Sequence, residues 1–443
     1  MIVFLLPLMA SNVLQSASGT INSVFLGRLI GVHALAAASS FFPILFLLIS
    51  FLIGLASGSS VLIGQAYGAR NVARIKEVAG TTLSLSIALG VAIGLAGWFL
   101  GPQLLRLIGT PAVVLPLAIA YARVLFAGMP ILFVYLSYTT FVRGTGDSRT
   151  PFLSLIVSTC ITMVLTPAFI LGWLGLPRLG VPSAAVAGLI AQVGAIAFQL
   201  LMLAREHNPL AFDRAILRSM RIDPKIVVPL VRIGIPTGVQ MIMVSLAEIA
   251  VISIVNRFGA AATAAYGAVN QIASYVQFPA ISIGIASSIF GAQSIGAGRF
   301  DRLRKIARAG IGLNWVIGAT LIALVYAFDR PILTLFVTDA HVIAIAHELL
   351  AITLWSYLIF GTTAVLSGLM RSSGTVLWPT ILQVVSIWGV EVPVAYALAP
   401  RLGLPGVWTA YPAAFVVALT LQTTYYQLFW RRRRLRALLE PTT

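Results

Sequence analysis

Two stretches of the chain recur at one fixed spacing, and this recurrence limits its fold more than any other feature. Residues Gln65–Ala69 lead into a basic run, and the related residues Gln293–Ala297 lead into a second basic run 228 positions later. Arg143 and Arg371 are also 228 positions apart, and each stands eight residues before a proline. The chain is therefore predicted to contain two related halves.

Composition places both halves in a lipid bilayer. Hydrophobic residues make up 59% of the chain and charged residues only 9%, whereas soluble domains carry about 25% charged residues. A membrane-crossing helix needs roughly 20 mostly apolar residues, and the alternating pattern of a transmembrane barrel is absent. Because lipid-exposed backbone must satisfy its own polar groups, we predict helices. The twelve predicted spans are 1–26, 34–63, 78–100, 115–141, 152–173, 183–204, 227–255, 263–293, 309–328, 343–370, 377–399 and 405–430.

The predicted fold is an all-α integral membrane protein with twelve transmembrane helices in two six-helix lobes. Since six is an even number, both lobes enter the membrane in the same orientation and form a parallel repeat. We predict an N-terminal lobe over 1–204, a cytoplasmic linker over 205–226, a C-terminal lobe over 227–430 and a basic tail over 431–443. Two such lobes around a central cavity are typical of secondary transporters.

The net charge of +17 is explained by membrane topology. With these spans, 22 of the 29 Lys and Arg residues fall in segments predicted to face the cytoplasm, which is the positive-inside pattern. We therefore expect both termini in the cytoplasm, a location in the cell's inner (plasma) membrane, and no nucleic-acid partner. The run Arg431–Arg434 is expected to contact anionic lipid headgroups. The first apolar run starts at Met1 without a signal-peptide cleavage site, so we predict a retained helix and leave room for a short leader upstream.

Five loops and helix ends carry a resemblance to a known family. They are the paired Gln-x-x-Gly-Ala motifs at 65–69 and 293–297, Arg-Gly-Thr-Gly-Asp at 143–147, Arg-Ser-Ser-Gly at 371–374 and Leu-Gly-Leu-Pro-Gly-Val-Trp at 402–408. Together with the helix count and the repeat, they resemble the multidrug and toxic compound extrusion (MATE) transporters over nearly the whole chain. The resemblance implies a secondary antiporter for small organic compounds and not an enzyme.

The motifs of other energy sources and of common hydrolases are missing. No Walker-type phosphate loop, no His-Glu-x-x-His zinc motif and no Gly-x-Ser-x-Gly motif occurs in the sequence. We therefore expect coupling to a gradient of H⁺ or Na⁺, with no catalytic residue, no bound metal site and no cofactor besides the coupling ion.

Only Glu248 and Glu391 are acids well inside the predicted spans. A carboxylate in the middle of a membrane helix costs at least about 2.5–3.5 kcal/mol on insertion scales, so each is a candidate ion-coupling residue. For Glu248, the alternative is a structural hydrogen bond or a position near the outer water boundary. For Glu391, the alternative is that the carboxylate satisfies backbone groups freed by a kink at Pro393.

The resemblance also implies which lobe couples to the ion. Many MATE proteins carry an aspartate in helix 1, and the matching residue here is Asn22. Relatives with a proton site show Asn and Asp one turn apart in helix 5, where this chain has Thr162 and Thr166. Glu248 resembles a helix 7 glutamate that is important in many relatives. Ion coupling is therefore predicted to run through the second lobe.

Two polar patches are the candidate lining of the substrate cavity. They consist of Asn12, Gln15 and Asn22 in the first helix and of Asn270, Gln271 and Tyr275 in the eighth. The first three residues are spaced by three and seven, which places them on one helical face. Amides and aromatic rings suit organic cations through cation–π and dispersion contacts. Ordinary hydrogen bonds between helices are the alternative explanation for each residue.

The leading hypothesis is an antiporter that exports small organic, cationic or amphipathic compounds in exchange for H⁺ or Na⁺, acting as a monomer among membrane lipids. The alternative is a lipid-linked oligosaccharide flippase of the same superfamily, whose members often have fourteen helices and cationic cavities. A membrane enzyme would need clustered catalytic residues, but the four histidines are scattered. A channel would not explain two six-helix lobes.

Overall fold

The computed structural model describes residues 1–439, apart from the side chains of Phe42, Pro43 and Leu174, so residues 440–443 of the predicted tail lie outside it. Within that range the chain is helical and contains no strand. The helices up to residue 218 are α1 Ile2–Phe25, α2 Val32–Gly68, α3 Val72–Leu107, α4 Leu115–Ala127, α5 Met129–Gly144, α6 Arg149–Leu171, α7 Ser183–Arg205 and α8 Arg214–Arg218.

The remaining helices follow the same scheme of long segments joined by short turns. They are α9 Pro224–Val255, α10 Ala260–Gly296, α11 Asp301–Ala327, α12 Asp329–Thr334, α13 Ala340–Thr353, α14 Tyr357–Arg371, α15 Leu377–Ser386, α16 Val392–Leu402, α17 Leu404–Trp408 and α18 Ala410–Leu428. Leu26–Ile30 and Ile387–Glu391 are π-helical, and the 3₁₀ turns are Trp173–Gly175, Asn256–Phe258, Leu354–Ser356 and Trp430–Arg432.

Length and composition make this a multi-pass membrane protein. In the described residues, 11 helical stretches are long and apolar enough to cross a membrane, and the bent pair α4 and α5 makes a twelfth span with a break of 52°. Helices hydrogen-bond their own backbone, as a lipid environment requires. The predicted all-α fold with twelve spans is therefore confirmed.

The chain divides into two compact units. Apart from Met1, the first unit comprises Ile2–Gly234 and the second starts at Ile235. The division falls inside α9, so the first turns of this helix belong to the first unit. The predicted bounds of the lobes, the linker and the tail remain predictions.

The internal repeat is visible in the backbone. Helices α2 and α10 both have 37 residues and start 228 positions apart, each after a glycine in the left-handed φ region, Gly31 (φ 120°) and Gly259 (φ 94°). Both helices also end alike. The amide of Ala69 donates a hydrogen bond to the carbonyl oxygen of Gln65 at 3.0 Å. The amide of Ala297 donates to the carbonyl oxygen of Gln293, also at 3.0 Å. The repeated Gln-x-x-Gly-Ala sequence is thus a helix C-terminus built twice.

The second repeated motif is also a helix end. The backbone amide of Gly146 donates a hydrogen bond to the carbonyl oxygen of Arg143 at 2.9 Å. The amide of Gly374 donates to the carbonyl oxygen of Arg371 at 2.8 Å. Both glycines have positive φ, 92° and 77° respectively. Since a side chain disfavours that conformation, glycine is required at both positions. The common spacing therefore reflects a shared backbone structure.

Close approach of small residues joins α10 to α14 in the second unit. A Cβ atom on Gly368 would lie 2.2 Å from the carbonyl oxygen of Gly284, and one on Gly284 would lie 3.0 Å from that of Ala364. Membrane helices associate through such van der Waals contact because lipid offers no hydrophobic driving force between them. This contact fixes the two helices that carry much of the candidate site.

The first unit holds the hydrophilic segment after α7 against α3. Lys76 of α3 forms an ion pair with Asp213. The Asp213 carboxylate also caps the N-terminus of α8, because it accepts hydrogen bonds from the amides of Ala215 and Ile216, both at 3.0 Å. A Cβ on Gly80 would lie 2.6 Å from the backbone of Ser219. This part of the predicted linker is therefore packed onto the first unit.

Candidate functional site

The two candidate acids lie together in the second unit. Glu248 projects from the middle of α9, and Glu391 is the last residue of the π-helical segment after α15. The two carboxyl groups are within electrostatic range of each other. Glu391 is only 5% exposed, whereas Glu248 is an exposed residue of α9. The structure therefore pairs one buried acid with one accessible acid.

The backbone around Glu391 does not use its carboxylate. In the π turn, the amide of Val392 donates to the carbonyl of Ile387 five residues earlier, so the widened turn absorbs the break before Pro393. Among residues 1–439 the Glu391 carboxyl has no hydrogen-bond partner, and Glu248 is within electrostatic range of it. Satisfaction of backbone groups freed by Pro393 therefore does not explain this acid. π turns are frequent at functional sites.

Three tyrosines surround the two acids. Tyr266 of α10, Tyr357 of α14 and Tyr411 of α18 each interact electrostatically with Glu391. Tyr266 and Tyr357 also interact with Glu248. The hydroxyl oxygens of Tyr266 and Tyr411 are 3.4 Å apart. Five ionisable side chains from different helical segments thus meet in one cluster, hereafter the acid–tyrosine cluster.

Further aromatic rings pack against these tyrosines. Tyr266 meets Trp408 edge to face with a centroid distance of 5.3 Å, and Tyr357 meets Phe415 at 5.6 Å. Phe415 also contacts Tyr411, at 6.5 Å. Such edge-to-face pairs add about 0.5–1.5 kcal/mol each beyond area burial. The aromatic packing holds the tyrosine hydroxyl groups in place beside the acids.

The polar patch predicted on the eighth span is only partly joined to this cluster. Asn270 lies one helical turn after Tyr266, and its side chain is beside the Tyr266 hydroxyl. Gln271 is half-buried, and Tyr275 is 41% exposed and packs edge to face on Phe278. Asn270 therefore belongs with the acids, whereas the structure places no described contact between Tyr275 or Gln271 and them.

The polar patch predicted on the first span lies in the first unit. Asn12 and Asn22 are half-buried and Gln15 is exposed along α1. The Oδ1 of Asn22 accepts a hydrogen bond from the Oγ1 of Thr166 at 3.3 Å. Asn22 and Thr166 match positions where many MATE proteins carry an aspartate. In this chain the two side chains are in contact, and both are neutral. Thr162 instead donates to the carbonyl of Ser158 at 2.9 Å.

The sequence alone did not indicate Tyr266, Tyr357 or Tyr411 as site residues. Tyr266 stands one helical turn before Asn270, and this spacing indicates that it shares a helical face with a predicted cavity residue. Tyr411 is 145 positions from Tyr266, and no local pattern indicates their contact.

The chemistry of the cluster suits cations. Two carboxylates can exchange protons or attract a cation, tyrosine hydroxyls supply further oxygen ligands, and ring faces bind organic cations. In the described part of the chain, no three His, Cys, Asp or Glu side chains are grouped as a transition-metal site would need. The oxygen-rich donors present are those preferred by hard cations or protons.

Comparison with known proteins identifies the family. The MatE family model matches residues 7–168 and again residues 236–397, which is well over half of the chain. The chain belongs to the MATE family. Its two matched segments start and end 229 positions apart, so the family match also reproduces the internal repeat. The resemblance predicted from the five motifs is confirmed.

Individual MATE relatives match over almost the full length. The chain is 52% identical over 442 residues to the probable multidrug resistance protein YoeA of Bacillus subtilis, covering 99% of this chain and 96% of YoeA. It is 28% identical to the probable multidrug resistance protein YpnP of the same organism, covering 96% and 94%. A crystal structure of MATE in the bent conformation is similar with a TM-score of 0.87 at 23% identity, covering 96% and 93%.

The repeat shows that the acid–tyrosine cluster is specific to one half of this MATE protein. At an offset of 229 positions, Glu248 corresponds to Gly19 and Glu391 to Thr162. At the 228-position offset of α2 and α10, Tyr266 corresponds to Ala38. The duplicated scaffold therefore carries ionisable groups at these positions only in its second copy.

Proposed function

We propose that this protein is a secondary active antiporter that exports small organic compounds, cationic or amphipathic, in exchange for H⁺ or Na⁺ by alternating access. The single observation that carries the proposal is the pairing of Glu248 with Glu391 in a membrane-spanning unit. An intramembrane carboxylate is costly, and two within electrostatic range of each other are costlier still. Family membership and relatives named as multidrug resistance proteins support export of organic compounds.

The mechanism follows from the charge balance of the cluster. Two anionic carboxylates repel each other, so one bound cation or proton stabilises the pair. Glu248 is accessible to an incoming ion. Glu391 is its buried partner, and the negative charge of Glu391 increases the affinity of the cluster for a cation or a proton. An ion and a cationic substrate would therefore compete for the same negative charge, which is the requirement for exchange. Such differential binding shifts the balance between two conformations of the protein.

The proposed substrate contact is the aromatic wall of the cluster together with Asn270. Asn12, Gln15, Asn22, Gln271 and Tyr275 remain predicted cavity residues. Neither a cofactor nor a partner protein is required, and we expect a monomer in the inner membrane with both termini in the cytoplasm. The lipid-linked oligosaccharide flippase is not favoured, because the matched relatives are named for multidrug resistance.

The test is efflux of a fluorescent organic cation from proteoliposomes under an imposed pH gradient and, separately, a Na⁺ gradient. We expect one gradient to drive efflux in the wild type and neither to do so in Glu248→Gln. Glu206→Gln is the matched control, since this exposed glutamate follows α7. Gradient-driven efflux that persists in both Glu248→Gln and Glu391→Gln would contradict coupling at this cluster.

A further inference from the structure

Ten exposed basic residues lie at one edge of the second unit. The first five are Arg299, Arg302, Arg304, Lys305 and Arg308, at and after the end of α10. The other five are Arg431–Arg434 and Arg436, after α18. None of them forms an ion pair within the described residues, whose ion pairs join other groups. The acid nearest in sequence to the first group is the exposed Asp301, and Glu440 follows the second group in the sequence.

The helical face of the first group is fixed by its apolar neighbours. Leu303, Ala307 and Gly310 are buried at spacings of four and three, so they form the inner face of α11. The basic residues between them are exposed and must therefore point outward. The first turns of α11 thus present a row of positive charge on the side away from the protein core.

The second group is held in place rather than left as a loose tail. Trp430 is 2% exposed, its Nε1 donates to the Oγ of Ser373 at 2.8 Å, and its ring stacks on Tyr426 at 5.2 Å. Further on, Leu438 packs against Gly374, where an added Cβ would lie 2.7 Å from its side chain. The Arg-Ser-Ser-Gly motif therefore serves as the anchor for the segment after α18.

Both groups meet at the same edge. Leu303 and Ala307 share one hydrophobic cluster with Trp430 and Leu435. Tyr426 is within electrostatic range of both Arg304 and Arg431. Since the inner faces of the two segments share a core, their basic outer faces adjoin each other.

We infer that these two groups form one binding surface for the phosphate headgroups of anionic phospholipids. The surface continues directly from the membrane-spanning helices α11 and α18, so it lies where lipid headgroups are. Each basic side chain near an anionic membrane surface adds attraction that falls off within a Debye length, about 10 Å at 0.1 M salt. A surface anchored at Trp430 and Leu438 presents its charges without first ordering a flexible chain, which raises affinity.

The experiment titrates purified protein in neutral detergent with phosphatidylglycerol and follows the rise in unfolding temperature. One variant replaces Arg431–Arg434 by Gln. A second variant replaces four residues of the first group by Gln: Arg302, Arg304, Lys305 and Arg308. The matched control replaces four exposed basic residues of the first unit by Gln and so removes the same charge. These are Arg205, Arg214, Arg218 and Arg221.

We expect each of the first two variants to raise the half-saturating lipid concentration by about tenfold or more, and the control by less than about threefold. Ser373→Ala, which removes the acceptor of Trp430, should give an intermediate rise with all charges retained. An equal rise in the half-saturating lipid concentration for all three charge variants would overturn the proposal. It would indicate that the lipid is attracted by the net charge of the protein and not by this surface. Inorganic phosphate at the same concentration should give no shift; an equal shift would indicate a free phosphate site instead.

Discussion

The hydroxyl oxygens of Tyr266 and Tyr411 lie 3.4 Å apart, and both side chains are within electrostatic range of the buried carboxyl of Glu391. This contact joins α10 to α18 by polar groups inside an otherwise aromatic layer. A buried hydroxyl without a partner is unfavourable, so the pair constrains both rings. The arrangement explains why tyrosine rather than phenylalanine stands at two positions with phenylalanine and tryptophan neighbours.

Replacing one member of this pair should destabilise the protein modestly. In Tyr411→Phe the ring remains, but the Tyr266 hydroxyl keeps only Asn270 as a neighbour, and we expect a loss of about 1 kcal/mol of unfolding free energy. Thermal unfolding in detergent measures the change. The control is Tyr396→Phe, because Tyr396 is 45% exposed in the same unit. A loss no larger than that of the control would mean that the hydroxyl contact does not stabilise the fold.

The two acids should act as one unit in transport. Because Glu248 and Glu391 are within electrostatic range, neutralising either one changes the ion affinity of the other. We expect Glu248→Gln and Glu391→Gln each to abolish gradient-driven efflux and the double variant to be no worse than the single ones. Initial efflux rates from proteoliposomes at several pH values test this. Independent, multiplicative effects of the two substitutions would rule out a shared site.

The contact between α10 and α14 should be intolerant of a methyl group. In Gly368→Ala the new Cβ would meet the carbonyl of Gly284 at 2.2 Å, and we expect a loss of about 1–3 kcal/mol or failure to fold. Gly267→Ala is the matched control in α10, since no atom lies within 4 Å of a Cβ there. Unfolding temperature and yield of monodisperse protein are the measurements. Equal stability of the two variants would show that the helices can separate at no cost.

The segment after α7 should loosen in acid. The hydrogen bond from Lys76, followed by those from the amides of Ile216 and Ala215, lowers the pKa of Asp213 below its usual range. A carboxyl with a lowered pKa stabilises the fold above its ordinary pKa, and this stabilisation is lost as the pH falls through the lowered value. Hydrogen exchange of the α8 amides, corrected for intrinsic rates, should therefore stay slow to below about pH 4.

Lys76→Gln should move this loss of protection to higher pH, because the pKa of Asp213 then returns toward its usual range. Lys225→Gln serves as the control, since this exposed lysine forms none of the ion pairs of the described residues. Identical pH profiles for wild type and Lys76→Gln would show that the ion pair does not hold α8.

Much of the fold was predictable because its signals are local. Apolar runs of membrane length indicate helices wherever they occur, and the repeated motifs are helix ends whose glycines, such as Gly146 and Gly374, adopt positive φ for local reasons. The bend between α4 and α5 at Gly128 was not predicted. It lies inside one apolar run, and its local signal is the pair Gly128 and Pro130, since proline ends or kinks a helix.

The candidate site was predictable only in part. Glu248 and Glu391 were found because an acid in an apolar run is conspicuous, whatever its neighbours. The tyrosines were not, because Tyr357 and Tyr411 are ordinary residues in apolar helices until tertiary packing brings them to the acids. Conversely, Asn12, Gln15 and Asn22 fit a face of α1, but helical spacing alone cannot tell a cavity wall from a helix contact such as Asn22 with Thr166.

The burial of Trp430 and the packing of Leu438 against Gly374 have a consequence for biosynthesis. The second unit has packed side chains as far along as residue 438, beyond its last membrane helix. During translation, α11 and α14 are therefore inserted while the surface that receives Trp430 is still uncovered. That surface closes only after these late residues have left the ribosome, so a nascent chain halted earlier would display it to chaperones and proteases.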